Sequence, residues 1–194
     1  MNQSAPKSFA NYINSLQTHS IFDLKDFDED LAQMLRIQAS SKDYGAIMTS
    51  GKSTLPYVSW LVDGMIMSNK LIVHLNSGEE ELNKITQKSM ESDIRITSHC
   101  QDQKEFTTDI SEHRMDLLLL TEDALPEIDN WMKLLSDAGM LVFIGKPEAR
   151  NKLLQKYSDD YFCFDKNHLF ISRKGSQHQK VRRRSRQRKV VKIV

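Results

Sequence analysis

The stretch with the clearest chemical use runs from Tyr44 to Leu55, Tyr-Gly-Ala-Ile-Met-Thr-Ser-Gly-Lys-Ser-Thr-Leu. A short apolar run, Ala46 to Met48, leads into small hydroxyl residues, a glycine and then an apolar-periodic segment. In this order a strand hands over to a helix across a nucleotide- or cofactor-binding turn, where backbone amides meet the ligand.

Two other chemistries can be read from the same residues. Gly51-Lys52-Ser53 ends like a phosphate-binding P-loop, and Leu117 to Asp123 could pass for the strand that carries a magnesium-binding acid. A P-loop needs glycine, four residues and then Gly-Lys-Ser or Gly-Lys-Thr. Here Ala46 holds the first position and Gly45 comes one residue too early, while Ile47 and Met48 are bulky where an open anion nest is required. The spacing therefore argues against a divergent P-loop nucleotide-binding protein. A general base is the other chemistry, yet the six histidines, at 19, 74, 99, 113, 168 and 178, have no partner acid at telling spacing. His74 lies inside an apolar run and reads as an interior residue. His99, just before Asp102, is the best placed as a catalyst, since it falls where a strand gives way to a loop.

The elements that must position these residues follow from apolar periodicity. Two leading helices are predicted within residues 5–39, the first from Ala5 to Leu16 and the second from Phe27 to Ala39. A helix opens near Ser53, with Leu55, Val58, Leu61, Val62 and Met65 on one stripe. Lys70–Leu75 reads as a strand covered on both faces, Glu79–Met90 as a helix, and Asp93–His99 as a third strand. Met115–Leu120 is a central strand, Ala124–Asp137 a helix and Met140–Ile144 a buried strand. Pro147–Tyr157 is a helix, and Tyr161–Phe164 with His168–Ser172 forms an antiparallel hairpin across Asp165-Lys166-Asn167. Strands alternating with helices imply an α/β fold: a Rossmann-like, mostly parallel sheet with helices on both faces and a C-terminal antiparallel hairpin.

Composition bounds the rest. With 194 residues, 39% hydrophobic and 27% charged, the chain can bury a core without disulfides or metal. Only Cys100 and Cys163 occur, far apart, so neither metal-ligand spacing nor a disulfide framework is present and a cytoplasmic setting is expected. No apolar run has signal-peptide or membrane-spanning character. The net charge of +1 hides a split: Lys174 to Val194 carries nine Lys or Arg and no acid, leaving 18 basic and 26 acidic residues before it. We therefore divide the chain into an α/β domain, residues 1–173, and a basic tail, residues 174–194, expected to be disordered. Arg182, Arg183, Arg184, Arg186, Arg188 and Lys189 are its candidate polyanion-binding residues, toward RNA, DNA or anionic lipid, with a merely solvated tail as the bland reading. The closing Val190-Val191-Lys192-Ile193-Val194 could add a strand to a sheet edge or touch a membrane interface.

Over residues 27–173 this order resembles the class I S-adenosylmethionine-dependent methyltransferases, and among them the small O-methyltransferases. Gly51-Lys52-Ser53-Thr54-Leu55 is similar to the end of that family's cofactor loop, and Asp116 to Leu120 looks like its aspartate and buried fourth strand. Ala138-Gly139-Met140-Leu141-Val142 resembles its turn into strand five, and Asp165 to Phe170 its final hairpin. The pattern departs from the family where its loop has two further glycines: Ile47 and Thr49 stand there. Asn76 and Ser77 replace its ribose-binding acid, and Thr121, Ile144 and Gly145 fall where metal-dependent members hold their cation.

What the resemblance implies is S-adenosylmethionine as cofactor and O-methyl transfer to a small-molecule substrate. No metal is expected, because Thr121, Ile144 and Gly145 supply no set of hard oxygen ligands and the nearby Glu122 and Asp123 read as acids of a helix N-terminus. Thr49, Ser50 and Gly51 would line the cofactor, Asn76 would face its ribose, and Asp102 with His99 would flank the adenine or the methyl acceptor. The alternative is a non-catalytic binding module of the same fold, tethered to nucleic acid or an anionic membrane by the basic tail.

Overall fold

The computed structural model describes residues 12, 14–16, 18, 27–41, 45–90 and 93–174. Tyr12, Asn14, Ser15 and Leu16 are helical, and the rest of the predicted first helix lies outside the described residues, as does the tail from residue 175.

Seven strands form one sheet: β1 (Ala46–Ser50), β2 (Lys70–Leu75), β3 (Ile96–Cys100), β4 (Met115–Thr121), β5 (Leu135–Ile144), β6 (Tyr161–Asp165) and β7 (Leu169–Arg173). Their order is β3-β2-β1-β4-β5-β7-β6. The first five strands are parallel, and β7 enters antiparallel between β5 and β6. Beside the partly described helix around residues 12–16, the described residues form six helices: α1 (Glu29–Ser40), α2 (Leu55–Gly64), α3 (Glu80–Met90), α4 (Gln103–Asp109), α5 (Ile128–Leu134) and α6 (Pro147–Tyr157). None of the described helices is long and apolar enough to cross a membrane.

Strand side chains alternate between the two faces, so each strand feeds two cores. Ile47, Leu71, Val73, Leu117, Leu119 and Val142 pack with α1, α2 and α3. Met48, Leu118, Leu120, Leu141 and Phe143 pack with Phe106 of α4, Trp131 of α5 and Leu153 of α6. The four consecutive leucines of β4 thus divide between two layers, which is why that strand reads as an unbroken apolar run.

Local chemistry explains where elements begin. The Asp28 side chain caps α1 by accepting from the Leu31 amide at 3.0 Å. The third strand begins at Ile96 rather than at Asp93, because the Asp93 carboxylate binds both the backbone and the guanidinium of Arg95 and folds these residues into a turn. Three differences from the sequence reading matter for the site. Helix α4 falls in a stretch assigned no element, although Asp102 caps it through the amides of Lys104 and Glu105. The predicted helix over 124–137 is instead a 3-10 turn, Glu122–Glu127, with Pro126 inside it, followed by the short α5. Strand β5 then starts at Leu135, not Met140, with a register shift against β4. Gly139 accommodates that shift: a Cβ there would sit 2.7 Å from the Met115 carbonyl oxygen.

Candidate functional site

In an open parallel sheet, ligands bind beyond the carboxyl ends of the strands, where the strand order reverses. Here that point is the junction of β1 with β4. A cleft of about 360 Å³ opens there, lined by Asn76 and Ser77 after β2, Asp102 and Gln103 after β3, and Asp123 and Glu127 after β4.

Gln103 spans this cleft. Its amide nitrogen donates to Asn76 Oδ1 at 2.9 Å and to the Asp123 carbonyl at 2.8 Å, and its oxygen accepts from Trp131 Nε1 at 3.3 Å. One side chain therefore ties together the ends of β2 and β4 and helix α5. The Asn76 backbone is held as well, its amide donating to the Glu79 carboxylate at 2.9 Å and its carbonyl accepting from the Glu79 amide. These two bonds tie Asn76 to the residue that precedes α3. Beside the cleft, Glu122 accepts from the Lys146 amide and links the ends of β4 and β5.

The predicted site residues separate into three groups. Asn76 and Asp102 share the cleft. Asp102 is also engaged as the α4 cap, at 2.9 Å from the Lys104 amide. Thr49 and Ser50 are buried in opposite layers of the sheet, and β1 stays paired with both neighbours as far as Ser50. No open loop precedes Gly51. Gly51 itself has φ 96°, a conformation that favours glycine, and a Cβ on it would run into Thr121 Oγ1. This glycine lets the end of β1 close against the end of β4. His99 is exposed on the edge strand β3, one residue before its end, with its ring 5.4 Å from that of Phe106.

Ser50 is committed to a buried partner. His74 Nε2 lies 3.0 Å from the Gln101 carbonyl, which can only accept, so the proton is on Nε2. Nδ1 is then a bare acceptor, and Ser50 Oγ donates to it at 2.9 Å. The imidazole stacks on Phe106 with centroids 4.4 Å apart. Burial pushes its pKa down to about 4, helped by His99 and opposed by the Gln101 carbonyl and Asp102. The pair resembles an activated nucleophile but is sealed from solvent. Thr49 Oγ1 and Thr121 Oγ1 are buried with no hydrogen-bond partner among the described residues. Among those residues, no group of three or more His, Cys, Asp or Glu is arranged to hold a metal ion.

For an S-adenosyl ligand, the nucleoside half fits this donor set. Asn76 Oδ1 is an acceptor whose present partner is a side-chain amide, and three carboxylates flank the cleft. The loop that would receive the methionine half is closed by the contact of Gly51 with Thr121. Gln103, central to the cleft, carried no sequence signal because its partners are distant, whereas Asp123 stood out only as the acid closing the Leu117–Asp123 stretch. The Asp102-x-x-Glu105 capping pattern was the one local clue to α4.

The fold is that of the class I S-adenosylmethionine-dependent methyltransferases, of the small O-methyltransferase kind. A Corynebacterium glutamicum protein superposes with a TM-score of 0.71 at 12% identity, covering 91% of this chain and 94% of that one. The O-methyltransferase TomG from Streptomyces achromogenes, involved in tomaymycin synthesis and solved with S-adenosylmethionine, gives 0.66 at 11%, covering 88% and 92%. A Bacillus cereus O-methyltransferase in complex with S-adenosylhomocysteine gives 0.66 at 10%, covering 89% and 94%. No family model matches the sequence, and no curated protein does.

Proposed function

We propose that this chain binds S-adenosylmethionine in the cleft between the ends of β2, β3 and β4 and acts as an O-methyltransferase on a small molecule. The observation that carries this reading is Gln103. Its amide occupies Asn76 Oδ1 as a ribose hydroxyl would, at the switch point of the sheet. The bound cofactor supplies an electrophilic methyl group on a cationic sulfonium. Asn76 accepts a hydrogen bond from the ribose once Gln103 swings aside. Asp102, Asp123 and Glu127, against the single cation Lys104, line a cleft whose net negative potential suits a positively charged ligand. The neutral, sealed His74 takes no part as a base, and catalysis rests on holding acceptor and methyl donor in line. Support for a reducing cytoplasm comes from Cys100 and Cys163, both free thiols.

Calorimetric titration of the full chain with S-adenosylmethionine and S-adenosylhomocysteine tests the reading. Binding is expected, and Asn76→Ala should weaken it about tenfold, the value of one hydrogen bond. Absence of binding at millimolar ligand overturns the proposal.

A further inference from the structure

The opposite pole of the sheet holds a second cleft, of about 460 Å³ and different chemistry. It lies between the last turn of α4 with its exit loop, the last turn of α5, and the end of β7. Arg114, Lys133 and Arg173 line it with Thr108, Ser111 and Asn130, and among the described residues no carboxylate is in its wall.

Two of the three cations are held without a bound carboxylate. Arg114 donates to the carbonyls of Ser111 and His113, and Lys133 donates to Asn130 Oδ1 at 3.1 Å. The acid that Lys133 influences, Asp129, has its oxygens on Lys156 and Tyr157. Arg173 pairs with Asp137 at 2.9 Å, a carboxylate that is itself 81% exposed. The chain leaves this rim at Lys174 and continues into the segment with nine basic residues and no acid.

We propose that this groove binds the phosphate backbone of single-stranded nucleic acid. A phosphodiester strand needs cations spaced along a concave path and hydroxyl or amide groups for its phosphates and sugars, and both are present here. An anionic membrane would instead meet cations on a convex surface flanked by exposed apolar side chains. Leu134 is the one apolar residue in the wall, and it is buried. The competing explanation is that these cations merely complement the C-terminal ends of α4 and α5.

The test uses the full chain and a labelled twelve-nucleotide oligo(U) or oligo(dT), read by fluorescence anisotropy across a salt series. The double variant Arg114→Gln/Lys133→Gln should bind at least about tenfold more weakly. Its slope of log affinity against log salt should fall by about 1.4, at 0.7 per phosphate contact on a single strand. The charge-retaining Arg114→Lys/Lys133→Arg should bind within about twofold of the parent, because phosphate steering depends on charge. Ser111→Asp, which puts a negative charge in the groove at an exposed position, should reproduce the loss and serves if the double variant fails to fold. Three outcomes overturn the proposal: no oligonucleotide binding by the parent, unchanged affinity and slope in the folded variants, or groove-dependent binding only to vesicles containing phosphatidylserine.

Discussion

The two ends of the α4–α5 pair are built in opposite ways. At the carboxyl pole, side chains are locked to one another across strands: Gly51 sits against Thr121, Ser50 donates to His74, His74 to Gln101, and Gln103 spans from Asn76 to Asp123. At the amino pole, Arg114 and Lys133 are exposed and bonded only to nearby groups of their own segment. Helix dipoles account for part of the signs, with Asp129 in the first turn of α5 and Lys133 in its last, whereas α4 ends on the acid Asp109. They do not account for the difference in reach, bonds across strands at one pole and within a single segment at the other. Locked contacts stabilise the sheet, whereas exposed cations bonded within their own segments can exchange those bonds for a ligand. Changes at the carboxyl pole should therefore cost stability first, and changes at the amino pole should cost binding alone.

The largest expected effect is that of Gly51→Ala. The new Cβ would meet Thr121 at a backbone angle that disfavours it, and we expect a loss of about 3 kcal/mol, or roughly 8 °C in melting temperature. A melting temperature within a degree of the parent would mean that the pole is not closed by this contact.

Next comes acidification. The unfolded His74 accepts a proton near pH 6.5, whereas the folded, buried imidazole resists it until about 4. Between those values the unfolded chain binds more protons, so stability falls as the pH falls, by about 2 kcal/mol from pH 7 to pH 5. Urea unfolding of the parent and of His74→Gln separates this from other groups. The slope between pH 7 and 5 should flatten in the variant. The carboxylates of Asp28 and Asp93, held below their ordinary pKa in spite of partial burial, contribute only at lower pH.

Smaller effects finish the comparison. Asp102→Ala removes the α4 cap and should cost about 1 kcal/mol in the same assay. The double variant Arg114→Gln/Lys133→Gln should change stability by less than about 0.5 kcal/mol while weakening oligonucleotide binding. A large stability loss there would make the groove a structural feature and erase the contrast between the poles.

Much of the fold was legible because it rests on local patterns. Lys70–Leu75 and Pro147–Tyr157 stand at the predicted bounds, the first as an apolar run and the second opened by proline. The antiparallel closing pair shifted by only a residue. The stretch around α5 was misread because its apolar residues have helical spacing through Leu135, while a proline turn and a register shift divide it between three elements. The candidate site was less legible. Ser50 looked like a ligand-lining hydroxyl, yet its partner His74 lies on the neighbouring strand and turns it inward.

The sequence alone determined the alternation of strands and helices, the acidic body and basic tail, and the place in the chain where β1 gives way to Gly51. Those properties depend on neighbours a few residues apart. Tertiary structure alone decided that Gly51 serves closure against Thr121, that Gln103 bridges Asn76 and Asp123, and that Arg114, Lys133 and Arg173 share one groove. Each of these joins residues more than fifteen positions apart, and strand order and register bring them together.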